Sequence, residues 1–461
     1  SKFKIARVVP IHKKDSKDIF TNYRPISVLP LFSKLLERLV FNRCISFIDK
    51  HNILFENQFG YRPKHSTTMA ITKLIDNITQ ASNNKQTTAG VFLDLSKAFD
   101  TIKHNILLAK MSHYGLRGVV LDWFENYLTN RMQFVDYNGH TSSTKPINSG
   151  MPQGSILGPL GFIFYVNDMP NAAPDLSFIL YADDTSAFTS HQDIKTLNKI
   201  MNNSLNNLNT WFRSNKLSLN LKKTNYMHFG THNKTKQLND QLKIYIDDTE
   251  INKTKACKFL GITIDQNLSW KNHIDELRKK CSSSIGIMYK MKQFLPEKAL
   301  LNLYNTLFLS HINYGMTAWS STCNTEKEKI HILQKRALRA VSNSEYRCSS
   351  NPLFIKYNQL KVADLCHLDI GIFMYKYCNN LLPPTFNNMF TTNAENHNYY
   401  TRHAADFEFP KINLNFGSKS ISYQGVKNWN SIPLHIKAYK NIHSFKTSYK
   451  KLFISQYEQM K

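Results

Sequence analysis

The 461-residue chain carries 42% hydrophobic and 12% aromatic side chains, enough to fill one core or several and too many for a disordered tail. Its 59 Lys and Arg against 33 Asp and Glu leave a formal charge of +26, which points to a polyanionic partner, although a lysine-rich composition throughout would raise the charge as well. The seven cysteines form no CxxC pair, which favours reduced thiols inside a cell over zinc ribbons, and no apolar run approaches the roughly 18 residues of a bilayer span, so no membrane partner is expected.

The sequence opens inside a strand, Phe3 to Ile11, as a piece cut from a longer polypeptide would. Apolar periodicity predicts helices from about Leu31 to Ile48 and from about Thr67 to Thr79, separated by a basic turn over Asn57 to His65 that holds Arg62. From Thr88 to Ser190 short β-rich runs alternate with helices: Val91 to Leu95, Ile106 to Tyr114, Leu121 to Leu128 and Gln133 to Tyr137. That alternation is an α+β pattern. Asp193 to Arg213 keeps Ile194, Leu197, Ile200, Met201, Leu205, Leu208 and Trp211 at helical spacing despite its many asparagines, and short strands follow at Tyr226 to Phe229, Lys243 to Ile246 and Lys258 to Ile264. After Trp270 the pattern turns helical, with basic faces bearing Arg278, Lys279, Lys280, Arg336 and Arg339, and Thr391 to Ala405 reads as a loop.

The strongest chemical signal is Tyr181-Ala182-Asp183-Asp184, flanked by apolar runs, a pattern that predicts a β-hairpin with two acids at its tip. Alone it could be a solvated acidic turn. Val91 to Leu95, however, reads as a buried strand with one acid, Asp94, inside it, and a carboxylate there is expensive unless paired or metal-bound. Asp94, Asp183 and Asp184 together would suit two Mg²⁺ ions about 3.5 to 4 Å apart. Between them lies Gly150-Met151-Pro152-Gln153-Gly154-Ser155, whose glycines permit close approach of a ligand and whose helix, opening at about Ser155, offers free N–H groups to an anion.

In their order, Asn22-Tyr23-Arg24-Pro25-Ile26-Ser27, Gln58-Phe59-Gly60-Tyr61-Arg62, Asp94 to Asp100, Gly150 to Pro159, Tyr181 to Asp184, Asn220 to Thr224 and Phe259-Leu260-Gly261 resemble the motif series of reverse transcriptases from non-LTR retrotransposons, the jockey-type long interspersed elements above all. His311 to Gly315, Leu333 to Ala337 and Trp429 to Pro433 resemble that group's C-terminal region. The resemblance implies an α+β right-hand polymerase fold: fingers over 1–90, a palm over 91–269 with interleaved fingers elements and a primer grip, a helical thumb over 270–345 and a helical C-terminal region over 346–461. It implies an RNA-directed DNA polymerase that copies retrotransposon RNA from a primer 3′-OH, with an RNA template, a DNA primer or target and dNTPs as partners and Mg²⁺, or Mn²⁺ in its place, as cofactor.

By the same resemblance Asp94, Asp183 and Asp184 would bind metal, and Lys223 would protonate pyrophosphate, with Lys222 beside it and a solvated charge pair as the plain alternative for both. Gln153 and Gly154 would line the nucleotide site. Phe99 would be a steric gate against a ribose 2′-OH, or else a core residue. Arg24, and less clearly Lys13, would hold the triphosphate, and Phe259, Leu260 and Gly261 would seat the primer end. Arg62, Arg278, Lys279, Lys280, Arg336 and Arg339 would contact nucleic acid. The family's N-terminal endonuclease has no counterpart in these residues, so nicking of intact DNA is not expected. The nucleus is the expected compartment for target-primed synthesis, with a cytoplasmic ribonucleoprotein stage. An RNA-dependent RNA polymerase, which shares the palm carboxylates, and a decayed copy that still binds RNA are the two rival readings.

Overall fold

The computed structural model describes residues 2–13, 15–237, 241–396 and 404–459. Strand β1 (Ile5–His12) and β2 (Tyr23–Val28) pair antiparallel, with Ile11 opposite Arg24. The predicted strand therefore starts later than Phe3, after a short 3₁₀ turn over Lys2–Lys4. Two helices follow, α1 (Leu31–His51) and α2 (Thr67–Asn83), the second capped by the Ser66 hydroxyl accepting the Met69 N–H. Helix α2 outruns its predicted end at Thr79 because Ala81 and Ser82 are still buried.

Next come β3 (Thr87–Leu93), α3 (His104–His113), α4 (Val119–Leu128), β4 (Arg131–Tyr137), β5 (His140–Thr141), β6 (Lys145–Ile147) and α5 (Leu157–Val166). Strand β4 pairs parallel with β1 and antiparallel with β5 and β6, so the N-terminal sheet is completed by residues from the middle of the chain. Every residue of α5 except Pro159 is buried, as an all-apolar helix must be, and it opens at Leu157 rather than Ser155. After it come the hairpin β7 (Ser177–Tyr181) and β8 (Asp184–His191), then α6 (Ile194–Ser214), β9 (Asn225–Phe229), α7 (His232–Gln237) and α8 (Lys271–Met291).

The central sheet runs Asn252–Lys253, β9, β3, β8, β7, antiparallel except for the first pair. Strand β3 is buried at all positions because both faces are covered. Ala89, Val91 and Leu93 enter one core with α3, α5 and α6, while Phe92 faces a second core shared with α2, α8 and the C-terminal helices. That second core runs without a break from Phe59 and Ile71 through Trp270 and Trp319 to Phe445 and Tyr457, so α2 packs on β3, β7 and β8 rather than apart from them.

Four further expectations are corrected. Asp94 lies just past the end of β3, half-exposed, rather than within a buried strand. Lys258 to Ile264 is a hairpin, Ala256–Phe259 against Ile262–Asp265, turned by Leu260 and Gly261 at φ 46° and 82°; Leu-Gly does not advertise a two-residue turn as Asn-Gly would. The strand expected over Lys243 to Ile246 is only Tyr245–Ile246. Within the predicted loop at Thr391 to Ala405 one helical turn forms, Asn393–Asn396, and residues 397–403 lie outside the described residues. No helix among the described residues is long and apolar enough to cross a membrane.

Candidate active site

The hairpin β7–β8 closes on the pair Tyr181 and Asp184, leaving Ala182 and Asp183 as a two-residue turn. Ala182 takes φ 57°, a left-handed backbone that a side chain disfavours. On the neighbouring strand Leu93 stands opposite Thr185, which puts the next residue, Asp94, beside Asp184. Asp94 is pinned by the segment after α6: its carbonyl accepts the Asn220 N–H at 2.8 Å and its N–H donates to Thr224 Oγ1 at 3.3 Å. The end of β3 and the start of β8 therefore bring the three aspartates to one end of the central sheet.

Their electrostatics are unfavourable as they stand. Asp184 keeps solvent contact, but protein atoms crowd its carboxylate, and this desolvation, followed by the charges of Asp183 and Asp94, pushes its pKa up to about 6. Lys223 Nζ lies 3.7 Å from Asp94 Oδ2 on a largely exposed side chain, a weak and screened partner. Among the described residues no three His, Cys, Asp or Glu side chains stand close enough to form a ready-made cage. The donor chemistry nonetheless fits a hard divalent cation: the groups are all carboxylate oxygens, and their mutual repulsion is what such an ion relieves.

The glycine-rich loop is fixed at both ends, against β2 and against the segment after Asp94. Gly150 N–H donates to Ile102 C=O at 2.8 Å, Met151 N–H to Phe99 C=O at 2.9 Å, and Ser27 N–H to Gln153 C=O at 2.7 Å. Gln153 Nε2 reaches Asp100 Oδ1 at 2.9 Å. Gly154 sits at φ 126° with no room for a Cβ, which would fall 2.4 Å from Ser27 O. Glu37, buried on α1, accepts the Ile156 N–H at 2.6 Å and anchors the start of α5, a role nothing in the sequence had singled out.

Phe99 is half-buried, stacked on Phe162 at 4.8 Å and met edge-on by Tyr61 at 6.3 Å. Arg24 is exposed on β2, and Lys13 is exposed just beyond β1, its N–H bonded to Asn22 C=O. Phe259 is buried against Phe92 at 5.5 Å, whereas the Leu260–Gly261 turn reaches outward. Tyr314 holds that turn: its hydroxyl donates to Leu260 C=O at 2.6 Å, and a Cβ on Gly261 would sit 3.2 Å from its ring. Burial and then Tyr314 raise the pKa of Tyr181, so Tyr314 also borders the β7–β8 hairpin.

The basic residues divide. Lys279, Lys280 and Arg336 are exposed. Arg278 pairs with Asp275 at 3.2 Å, Arg339 Nε donates to Cys348 C=O at 2.8 Å, and Arg62 Nη1 donates to Phe55 C=O at 3.1 Å while burial lowers its pKa. In Arg62 and Arg339 one N–H of each guanidinium is thus committed to the fold. Gln58, Glu37 and Tyr314 were missed as site-forming residues. Gln58 and Tyr314 lay within motifs of the resemblance, but only their tertiary partners show what they hold.

Residues 11–264, more than half of the chain, match the family model described as "Reverse transcriptase (RNA-dependent DNA polymerase)". The chain is 29% identical to the RNA-directed DNA polymerase from mobile element jockey of Drosophila melanogaster, over 75% of this chain and 38% of that protein. It is 26% identical to the probable RNA-directed DNA polymerase from transposon X-element of the same species, over 78% of this chain and 40% of that protein. It thus spans about two-fifths of the length of the curated relatives it matches. Among solved structures, telomerase from Candida tropicalis in complex with the TWJ fragment of telomeric RNA overlaps 80% of this chain and 58% of that one, at 13% identity and a TM-score of 0.42. With the family model covering the palm sheet, its three convergent aspartates and the glycine-rich loop, the chain belongs to the reverse transcriptase (RNA-dependent DNA polymerase) family and has its right-hand polymerase fold.

Proposed function

We propose that this chain is an RNA-directed DNA polymerase that copies the RNA of a non-LTR retrotransposon from a primer 3′-OH. The observation that carries the reading is the meeting of Asp94, Asp183 and Asp184 where β3 ends and β8 begins, with the pKa of Asp184 raised by desolvation first and then by the charges of Asp183 and Asp94. These three side chains would hold Mg²⁺, or Mn²⁺ in its place. Two such ions, when bound, supply Lewis-acid stabilisation of the attacking and leaving oxygens.

The chain's own residues do the rest. Arg24 and Lys13, exposed at the same end of the N-terminal sheet, bind the triphosphate, Arg24 with a fork of N–H donors. Gln153 and Gly154 line the sugar side of the nucleotide. Phe99, braced by Phe162 and Tyr61, presents a flat ring where a 2′-OH would collide, which selects dNTPs. Lys223 gives its proton to the leaving pyrophosphate. Phe259, Leu260 and Gly261 seat the primer end, and the exposed cations Lys279, Lys280 and Arg336, with Arg278 and the remaining donors of Arg62 and Arg339, hold the duplex backbone. The compartment in keeping with target-primed synthesis is the nucleus, following a cytoplasmic ribonucleoprotein stage.

Primer extension on an RNA template by the purified chain is the test, with dNTPs and rNTPs supplied in separate arms. DNA synthesis that requires Mg²⁺ supports the proposal. Extension with rNTPs alone would replace it with an RNA polymerase, and RNA binding without extension would leave a folded but inactive copy. Phe99→Val should raise rNTP use relative to dNTP use, and an unchanged ratio would return Phe99 to a packing role.

A further inference from the structure

The turn that carries Asp183 does not hold its shape alone. Ala182 is left-handed, and its N–H is met by Gln58 Oε1 at 3.4 Å; the same oxygen accepts the Gly60 N–H at 2.9 Å. Gln58 is 1% exposed, so this acceptor is not shared with bulk water. Gly60 lies so close that a Cβ would fall 2.3 Å from Ala182 N. On either side of Gln58, Leu180 N–H donates to Asn57 C=O at 3.0 Å and Phe59 N–H donates to Leu180 C=O at 2.7 Å. Residues 57–60 thus clasp the end of β7 and the turn beyond it.

The clasp is braced from behind by residues outside the stretch that matches the family model. Thr385 Oγ1 donates to Asn57 Oδ1, and the Phe386 ring meets Phe59 edge-on at 6.3 Å. Lys73 on α2 donates to Thr385 C=O at 2.8 Å and lies over the Phe386 ring at 5.6 Å. Phe386 in turn packs on Phe373, at 5.5 Å, in the helix Val362–Cys378. Packed or hydrogen-bonded groups therefore connect the C-terminal helices to the catalytic turn.

We propose that Gln58 is a positioning residue for the catalytic carboxylates and that Thr385 and Phe386 set it in place, which makes the C-terminal region part of the active-site scaffold. The inference rests on the polymerase reading above. Carboxylates at a metal site must be held within a fraction of an ångström, and a left-handed alanine turn with an unpaired N–H would not hold them so.

Four variants of the full chain test it: Gln58→Met, which keeps length and loses the acceptor; Gln58→Glu, whose buried carboxyl stays protonated and keeps a C=O acceptor; Thr385→Val; and Thr385→Ser. Mn²⁺ binding by electron paramagnetic resonance is measured beside kcat, the KM for dNTP and the melting temperature. Gln58→Met should weaken Mn²⁺ binding and lower kcat by on the order of ten- to a hundred-fold, the scale of an ångström's misplacement, with KM for dNTP little changed. Thr385→Val should show a smaller loss in the same direction, and Gln58→Glu and Thr385→Ser should restore both readouts towards the parent. Parental Mn²⁺ binding and kcat in both Gln58→Met and Thr385→Val would overturn the proposal, as would a lower melting temperature with kcat per folded molecule intact. A parent that binds Mn²⁺ but extends no primer defeats the polymerase reading while the Mn²⁺ arm still judges the clasp; a parent that does neither defeats both.

Discussion

Asp184 at the start of β8 and Asp76 in the seam between α2 and the C-terminal helix Ile421–Ser431 are each pushed up to about 6, for partly the same reason. Desolvation is the largest cause in each, but the neighbours differ. Around Asp184 stand Asp183 and Asp94, whose charges raise it further. Around Asp76 stand donors: the Ser422 N–H at 3.1 Å, the Ser422 hydroxyl at 2.9 and 3.0 Å from its two oxygens, and Gln80 Nε2 at 2.7 Å. A raised carboxylate is therefore not a site by itself. Where donors surround it, the group is satisfied and serves packing; where other carboxylates surround it, the remaining repulsion calls for a cation.

The sharpest way to break this contrast is by rate. Asp183→Asn should lower primer extension by at least ~10³-fold, since metal stabilisation of the transition state is worth several kcal/mol, while Asp76→Asn should extend nearly as the parent does. Comparable losses in the two variants would show that the seam is catalytic or that the palm set is not. Stability should report the reverse order. Asp76→Ala strands the buried Ser422 N–H, at a cost of about 1–3 kcal/mol readable as a lower urea midpoint, whereas the exposed Gln80 amide keeps the Ser422 hydroxyl at 2.9 Å. Asp183→Asn, exposed in its turn, should not move that midpoint downward.

The pH dependence refines the contrast on a smaller scale. A carboxyl whose folded pKa lies above its unfolded value favours the folded state below the unfolded value, about 3.9, and loses that advantage as the pH rises through about 6. Ionised Asp184 therefore strains the metal-free protein at neutral pH. Asp184→Asn should raise the melting temperature at about pH 7.5 by roughly 1–3 °C and leave it unchanged near pH 4. Mg²⁺ added near pH 6 should release a proton from the parent and from Asp76→Asn, but not from Asp184→Asn; equal release from all three would detach the shift from the metal site.

Arg336 and Arg339 repeat the distinction in charge of the opposite sign. Arg336 is exposed, whereas Arg339 is tied to Cys348 C=O. Arg336→Ala should flatten the slope of log affinity for a primer–template duplex against log salt by roughly 0.9, one phosphate's worth, with no change in melting temperature. Arg339→Ala should lower the melting temperature as well, and a thermal effect in Arg336→Ala instead would reverse the assignment.

The sequence by itself determined the elements whose signals are local. The run Val91 to Leu95 reads as a buried strand and overlaps β3, which is covered on both faces, the paired acids Asp183 and Asp184 sit at the tip of the hairpin that flanking apolar runs predict, and the helical spacing through the asparagines of 193–213 survives as α6. These depend on residue type and period, which neighbouring positions carry. What only the tertiary structure decided are pairings between distant segments: Gln58 with Ala182, Thr385 with Asn57, Tyr314 with Leu260 and Asp76 with Ser422, separated by 124, 328, 54 and 346 positions. A buried Gln or Asp has no local pattern, because what keeps it there is a donor or acceptor delivered by another part of the fold. The acid of Asp94 was legible, but its place just past the strand, pinned by Asn220 and Thr224, was not, since the end of β3 is set by pairing with β8 and β9 and not by the apolar run that leads to it.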